Sequence, residues 1–256
     1  MKRVHFLVIT LLSASFIFAA NVFAQDAPRF SPVEGFTCTY NKGKGPKDMA
    51  KVNAKWNAFM DKNQSPGYNA WNLVPNFTDD LSAMDFAWLG VWQNGNDMGK
   101  ALDIWNSKGS AISAEYAKVA TCSNHFNMAS YTVRMPDMNS SSKTGVVTFS
   151  DCSLSEGKTF PDMMAALDKW AKHLDSTGSK AGMWVFFPVY GAGDVEWTFK
   201  MVEGHSGFSS LGFDWENYGN KGGYMKAQEI LNGVIECGDT RVYNSEMIRD
   251  GGVKPG

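Results

Sequence analysis

Three histidines follow the N-terminal segment: His125, His173 and His205. None shows the H-E-x-x-H spacing that puts two imidazoles on one helix face, so no metal-ligand set is expected. His173 falls late in a predicted helix, where a surface role is usual, and His125 begins a predicted strand. His205 sits in Glu203-Gly204-His205-Ser206-Gly207, a predicted loop between strand and helix from which a side chain can reach a ligand. Its ordinary reading is a plain loop residue. A nucleophile would need a base and an orienting acid brought to it, and no G-x-S-x-G occurs. Gly43-Lys44-Gly45 and Gly219-Asn220-Lys221-Gly222-Gly223 lack both phosphate-loop spacings and read as turns. Asp79, Asp80, Asp85 and Asp194 cluster at predicted strand–strand turns and read as turn caps. No catalytic residue, cofactor or metal ligand is assigned.

The nine tryptophans are the most unusual feature. Trp71 and Trp184, Trp88 and Trp197, and Trp105 and Trp215 occupy matched positions of an internal repeat. Core packing is the ordinary explanation. The sharper one is an aromatic-lined cavity between sheet and helices, suited to a flat apolar ligand. The ligand-binding candidates are therefore Trp71, Trp88, Trp184 and Trp197, with His205 and Arg249 as the polar groups; Asn72 and Arg134 are further polar neighbours.

Composition narrows the partners. The chain of 256 residues is 44% hydrophobic and 20% charged, which excludes disordered, collagen-like and coiled-coil classes. A net charge of −2 gives no reason to expect a nucleic-acid partner. Residues 1–24 read as a signal peptide: Lys2-Arg3, then an uncharged run from Phe6 to Ala20, then Val22-Phe23-Ala24 before the cut. The apolar run is short for a membrane span, so no stable membrane anchor is expected, and the mature chain should be exported to a periplasm or the extracellular space. The oligomeric state is not fixed by any of this.

The elements that must position these residues come in duplicate. Shifting the chain by 114 aligns Cys38 with Cys152, Gly43-Lys44 with Gly157-Lys158, Asp48-Met49 with Asp162-Met163, Lys55-Trp56 with Lys169-Trp170 and Asp61 with Asp175. With small gaps the match extends to Cys122/Cys237 and Arg134/Arg249. The boundaries read as repeat one over 25–135, a polar linker over 136–143 and repeat two over 144–256. Each repeat has the order strand, helix, strand, strand, broken helix, strand. In the first these span 34–40, 46–62, 68–77, 84–93, then 97–106 with 110–121 broken at Gly109, and 125–135. In the second they span 145–151, 160–175, 181–190, 194–203, 207–235 and 239–248. This is the ferredoxin-like split βαβ order.

Such a sheet carries helices on one face only, yet Met183, Val185, Phe187 and Val189 alternate with Trp184, Phe186, Pro188 and Tyr190, and neither face is charged. The second face must be covered, and the other repeat's sheet is the nearest cover. On this element order and face pattern the chain resembles the dimeric α+β barrel superfamily in a tandem, single-chain form. The fold expected is α+β, two ferredoxin-like repeats packed sheet to sheet. In that fold the first and last strands of each repeat are antiparallel neighbours, which predicts Cys38–Cys122 and Cys152–Cys237 bridges, 84 and 85 residues apart.

The resemblance implies two functional readings. One is a non-enzymatic binder of a small apolar or aromatic ligand or of a partner. The other is a cofactor-independent monooxygenase-like enzyme, or a haem binder of the kind that holds iron through one histidine. An enzyme should concentrate polar groups in one cavity of one repeat. The sequence shows no asymmetric polar cluster beyond His205, which favours the binder.

Overall fold

The first helix shows how local signals set the frame. Pro46 opens α1 (Pro46–Lys62), where its missing N–H costs nothing. Met49, Val52, Asn53, Trp56 and Met60 recur at helical spacing and form its buried face. Its counterpart α4 (Phe160–Thr177) starts on a reciprocal Thr159–Asp162 capping box and ends at Gly178, whose φ of 80° lies in the left-handed region. The computed structural model describes residues 29–136 and 142–253. The expected signal segment and most of the expected linker lie outside the described residues.

The remaining first-half elements are β1 (Ser31–Tyr40), β2 (Tyr68–Phe77), β3 (Phe86–Trp92), α2 (Gly95–Lys108), α3 (Ser110–Ala117) and β4 (Ala120–Arg134). The second half supplies β5 (Thr144–Leu154), β6 (Gly182–Tyr190), β7 (Phe199–His205), α5 (Phe208–Gly219), α6 (Gly223–Leu231) and β8 (Ile235–Arg249). Two differences from expectation have local causes. Strand β4 starts five residues early, because Cys122 must stand opposite Cys38. Strand β7 starts late, because Gly191 and Gly193, both with φ of 70°, hold the preceding segment in a loop.

All eight strands close into one antiparallel barrel in the order β1-β3-β2-β8-β5-β7-β6-β4. The first half contributes four neighbours, β4-β1-β3-β2, and the second another four, β8-β5-β7-β6. Sheet-to-sheet packing was expected; in addition the two sheets share their edges, through β2 with β8 and β4 with β6. The barrel interior is one apolar cluster to which every strand contributes, including Val33, Leu73, Leu89, Met128, Phe149, Phe186, Val202 and Tyr243. The alternation in β6 falls as the pleat requires: Met183 and Val185 face the helices, Trp184 and Phe186 the interior. The bridges are Cys38–Cys122 and Cys152–Cys237, each linking register partners on adjacent strands.

The registers define which positions of the two halves are equivalent. Cys38 stands opposite Phe86 across β1–β3, and Cys152 stands opposite Phe199 across β5–β7. Phe86 therefore corresponds to Phe199, Trp88 to Met201, Gly90 to Glu203 and Trp92 to His205. Trp71 and Trp184 do correspond, facing Leu89 and Val202. Pairing Trp88 with Trp197 is a coincidence of residue type four positions out of register. Trp105 and Trp215 are likewise out of step, since Gly109 and Gly222 cap the equivalent helices α3 and α6.

Candidate functional site

A cavity of about 470 Å³ lies between the outer face of the first-half sheet and helices α1, α2 and α3. Its wall is aromatic: Phe36 from β1, Trp56 from α1, Tyr68 from β2, Phe86, Trp88 and Trp92 from β3, Trp105 from α2 and Tyr116 from α3. The sequence places these rings there because alternate β3 positions 86, 88 and 92 point away from the barrel interior, while 87, 89 and 91 fill it. Edge-to-face contacts hold the wall together: Trp56 meets Trp88 at 5.0 Å and Phe59 meets Trp105 at 5.8 Å. Polar lining is sparse, comprising Glu34, His125, Asn106, Ser113 and the two tyrosines, with no Lys or Arg.

Those polar groups are connected. The Trp88 indole Nε1 donates to the Tyr68 hydroxyl at 2.8 Å, and Tyr68 donates to Glu34 Oε1 at 2.5 Å. Glu34 Oε2 lies 2.8 Å from His125 Nε2. The His125 ring stacks on Phe36, centroids 4.0 Å apart at 11°. The chain runs from a fully buried phenol to an imidazole whose side chain is 52% exposed. Burial pushes the Tyr68 hydroxyl well above its ordinary range, and the Glu34 charge adds to the effect. As a carboxylate Glu34 only accepts, so His125 carries its hydrogen on Nε2, and Nδ1 has no hydrogen-bond partner among the described residues. An imidazole oriented by a carboxylate at the lining of an aromatic cavity has the chemistry to take a proton from a bound ligand. Tyr116, whose hydroxyl donates to Asn53 Oδ1 at 2.9 Å, is also raised by burial and stays a phenol.

The residues singled out from the sequence divide between three places. Trp88 lines the cavity. Trp71, Trp184 and Trp197 pack against the barrel interior, and Lys200 sits 4.1 Å over the Trp197 ring. Arg249 reaches α1 of the first half, where it bonds Asp61 Oδ1 at 2.8 Å and Asn57 Oδ1 at 3.2 Å. Arg134 bonds Asp175 and the Ser179 and Ala181 carbonyls. His205 ends β7 rather than sitting in a loop, and its side chain is 0% exposed. Its Nδ1 lies 3.5 Å from Asp214 Oδ2 and its Nε2 3.8 Å from Glu203 Oε2, both beyond hydrogen-bonding geometry. Burial raises the Asp214 carboxyl, while the Ser179 hydroxyl bonded to it at 2.8 Å pulls the other way. Glu34, Tyr68 and His125 were not found from sequence. Counting back from the Cys38–Cys122 bridge along two antiparallel strands would have brought Phe36 and Glu34 beside His125, had the bulge at Thr37–Cys38 been known.

No family model matches the chain, and no curated protein matches it. Solved structures do. A protein assigned as a chlorite dismutase superposes with a TM-score of 0.53 at 12% identity, covering 88% of this chain and 98% of its own. A protein assigned as a monooxygenase, from Lactobacillus acidophilus NCFM, gives 0.54 at 10% identity, covering 86% and 95%. An anthrone oxidase-like protein gives 0.51 at 9%, covering 88% and 95%. The chain has the dimeric α+β barrel fold. At these identities the likeness concerns the fold alone.

A haem site built around one histidine, the alternative raised by the sequence, does not fit His205. Axial ligation needs an imidazole nitrogen aimed into an apolar slot. His205 is enclosed between Asp214 and Glu203, and it does not line the cavity. His125 lines it, with its Nε2 engaged by Glu34, its ring face on Phe36 and its Nδ1 without a hydrogen-bond partner among the described residues. Among the described residues no group of three or more His, Cys, Asp or Glu could hold a metal ion, and no helix is long and apolar enough to cross a membrane.

Proposed function

We propose that the first-half cavity binds a flat aromatic molecule bearing a hydroxyl group and that His125, held by Glu34, takes the hydroxyl proton, in the manner of a cofactor-independent monooxygenase. The observation that carries this reading is the asymmetry of the polar groups. Glu34, His125, Tyr68 and Trp88 converge on one aromatic cavity of one half. The equivalent second-half positions hold Thr148, Ala181, Met201 and Thr240. Deprotonation raises the electron density of such a ring and so eases its oxidation by dioxygen, which is why proton removal is the enabling step. The fold likeness to proteins assigned as monooxygenases and to an anthrone oxidase-like protein supports this over passive binding.

Trp88 belongs to this proposed site. Trp71, Trp184, Trp197, His205 and Arg249 are proposed to hold the barrel and its helices instead. Two further parts complete the proposal. The halves are tandem ferredoxin-like repeats spanning 25–135 and 144–256, supported by their matched bridges and strand orders. The protein is exported, supported by the signal pattern and by two disulfides, which persist in oxidising compartments.

The test uses 2-naphthol as probe and Trp fluorescence as reporter. Quenching that saturates in the full-length protein, with naphtholate formation visible in absorbance and lost in His125→Ala, supports the reading. Quenching without naphtholate formation leaves a binder, and no quenching sinks the site.

A further inference from the structure

We infer that Tyr68 is the positioning residue of this site: it clamps Glu34 through a gap at Gly90, and so fixes how Glu34 meets His125. The inference rests on the reading of His125 as the proton acceptor. Tyr68 and Glu34 come from β2 and β1, which do not touch; β3 lies between them. The β3 residue in the way is Gly90, register partner of both Glu34 and Ala70. A Cβ at position 90 would lie 1.5 Å from the Tyr68 hydroxyl oxygen and 2.1 Å from its ring carbon Cζ. Only a residue without a side chain lets the phenol cross the strand. In the second half Glu203 fills that position and Ala181 replaces the tyrosine, so no such crossing exists there.

The clamp has a direction. Tyr68 is fully buried, its ring packed against Trp56 and Trp92, and the Trp88 indole N–H occupies its oxygen's acceptor side. Its single hydroxyl hydrogen is thereby left for Glu34 Oε1. With that oxygen fixed, Oε2 is the one presented to His125. Without Tyr68 the carboxylate of Glu34 can rotate about its terminal torsion, which is broad for glutamate, and its pairing with the half-exposed imidazole becomes one arrangement among several.

A double-mutant cycle on the full-length protein reads this directly. The observable is the nitrogen resonance of His125 Nε2, followed by NMR at fixed pH, which reads its hydrogen bond to Glu34. In the native background Glu34→Gln should move that resonance, because it replaces a charge-assisted hydrogen bond by a neutral one. In the Tyr68→Phe background the same change should move it by less than half as much. Tyr116→Phe, which removes a cavity hydroxyl bonded elsewhere, should leave the full-size shift. Gly90→Ala should reproduce Tyr68→Phe; if that variant does not fold, the Tyr68→Phe arm decides alone. A full-size shift in both backgrounds overturns the inference, as does an equal loss in Tyr116→Phe. The cycle needs no ligand. Failure of 2-naphthol to bind therefore overturns the proposed function without touching the clamp, and a failed cycle with intact naphthol chemistry does the reverse.

Discussion

The two halves of the barrel use one backbone plan for opposite purposes on their outer faces. In the first, Phe36 stacks on His125 where the second has the hydroxyls of Ser150 and Thr240 bonded to each other at 2.7 Å. Trp92, a wall of the cavity, corresponds to His205, which is buried against Asp214. The second helix layer holds instead an apolar core of Met163, Leu167, Trp170, Met183, Val185 and Phe199. Each helix layer covers mainly its own half's strands, with Ile248 and Arg249 of β8 reaching the first layer and Tyr131, Val133 and Arg134 of β4 the second, whereas the barrel interior draws on all eight strands. The barrel stands between the two layers, so an outer layer is the place where a cavity can be opened without unpicking the barrel.

That division can be broken at several levels. The largest effect is expected from expressing residues 25–136 and 144–256 separately. Each would bare the interior face of four strands, an apolar surface beyond what a soluble monomer tolerates, so both should precipitate or self-associate. Two soluble monomers in sedimentation would refute the shared interior. Removing either bridge as a Cys→Ser pair should cost about 4–5 kcal/mol in denaturant unfolding. Only loss of Cys38–Cys122, both of which line the cavity, should also weaken naphthol binding. His205→Ala should cost on the order of 3 kcal/mol, from the void left by a buried ring, with naphthol affinity unchanged. Trp88→Phe removes one hydrogen bond to Tyr68, about 1 kcal/mol, and should weaken the probe about fivefold; Trp197→Phe should leave its affinity alone. The smallest effect is a pH dependence. Burial raises Asp214 above its unfolded value of 3.8, so the native state binds that proton more tightly than the unfolded chain. Its contribution is present below pH 3.8 and is lost as pH rises through the raised value. Asp214→Asn should flatten that part of the Tm–pH curve, and an unchanged slope would contradict the assignment.

The frame was legible in the sequence because its signals are periodic. Helix α1 was placed at its observed ends by Pro46 and the Met49–Met60 face, and the two-sided apolar strands implied a covered second face. The bridges followed from strand order. The site was not legible, because its four polar members come from β1, β2, β3 and β4 and meet only through register. Two features shifted that register out of view. The bulge at Thr37–Cys38 moves His125, rather than Asn124, opposite Phe36. The accidental match of Trp88 with Trp197 displaced β7 by four positions and hid the equivalence of Trp88 with Met201. Gly90 carried the decisive signal, yet a lone glycine in an apolar strand reads as any close approach until the tyrosine above it is known. His205 drew attention as a loop histidine because β7 was placed five residues too early.

Both disulfides close within a half, and neither seam between the halves is crossed by a covalent bond. Pulled by its two ends, the molecule should come apart in stages. The β2–β8 and β4–β6 seams yield first, since only hydrogen bonds and side-chain packing hold them. Each half then stretches only outside its bridge. The bridges shield segments of 84 and 85 residues, so each withholds on the order of 300 Å of contour length. A single-molecule trace in oxidising buffer should fall short of the full chain by about twice that length, and adding a thiol should release it in two separate steps.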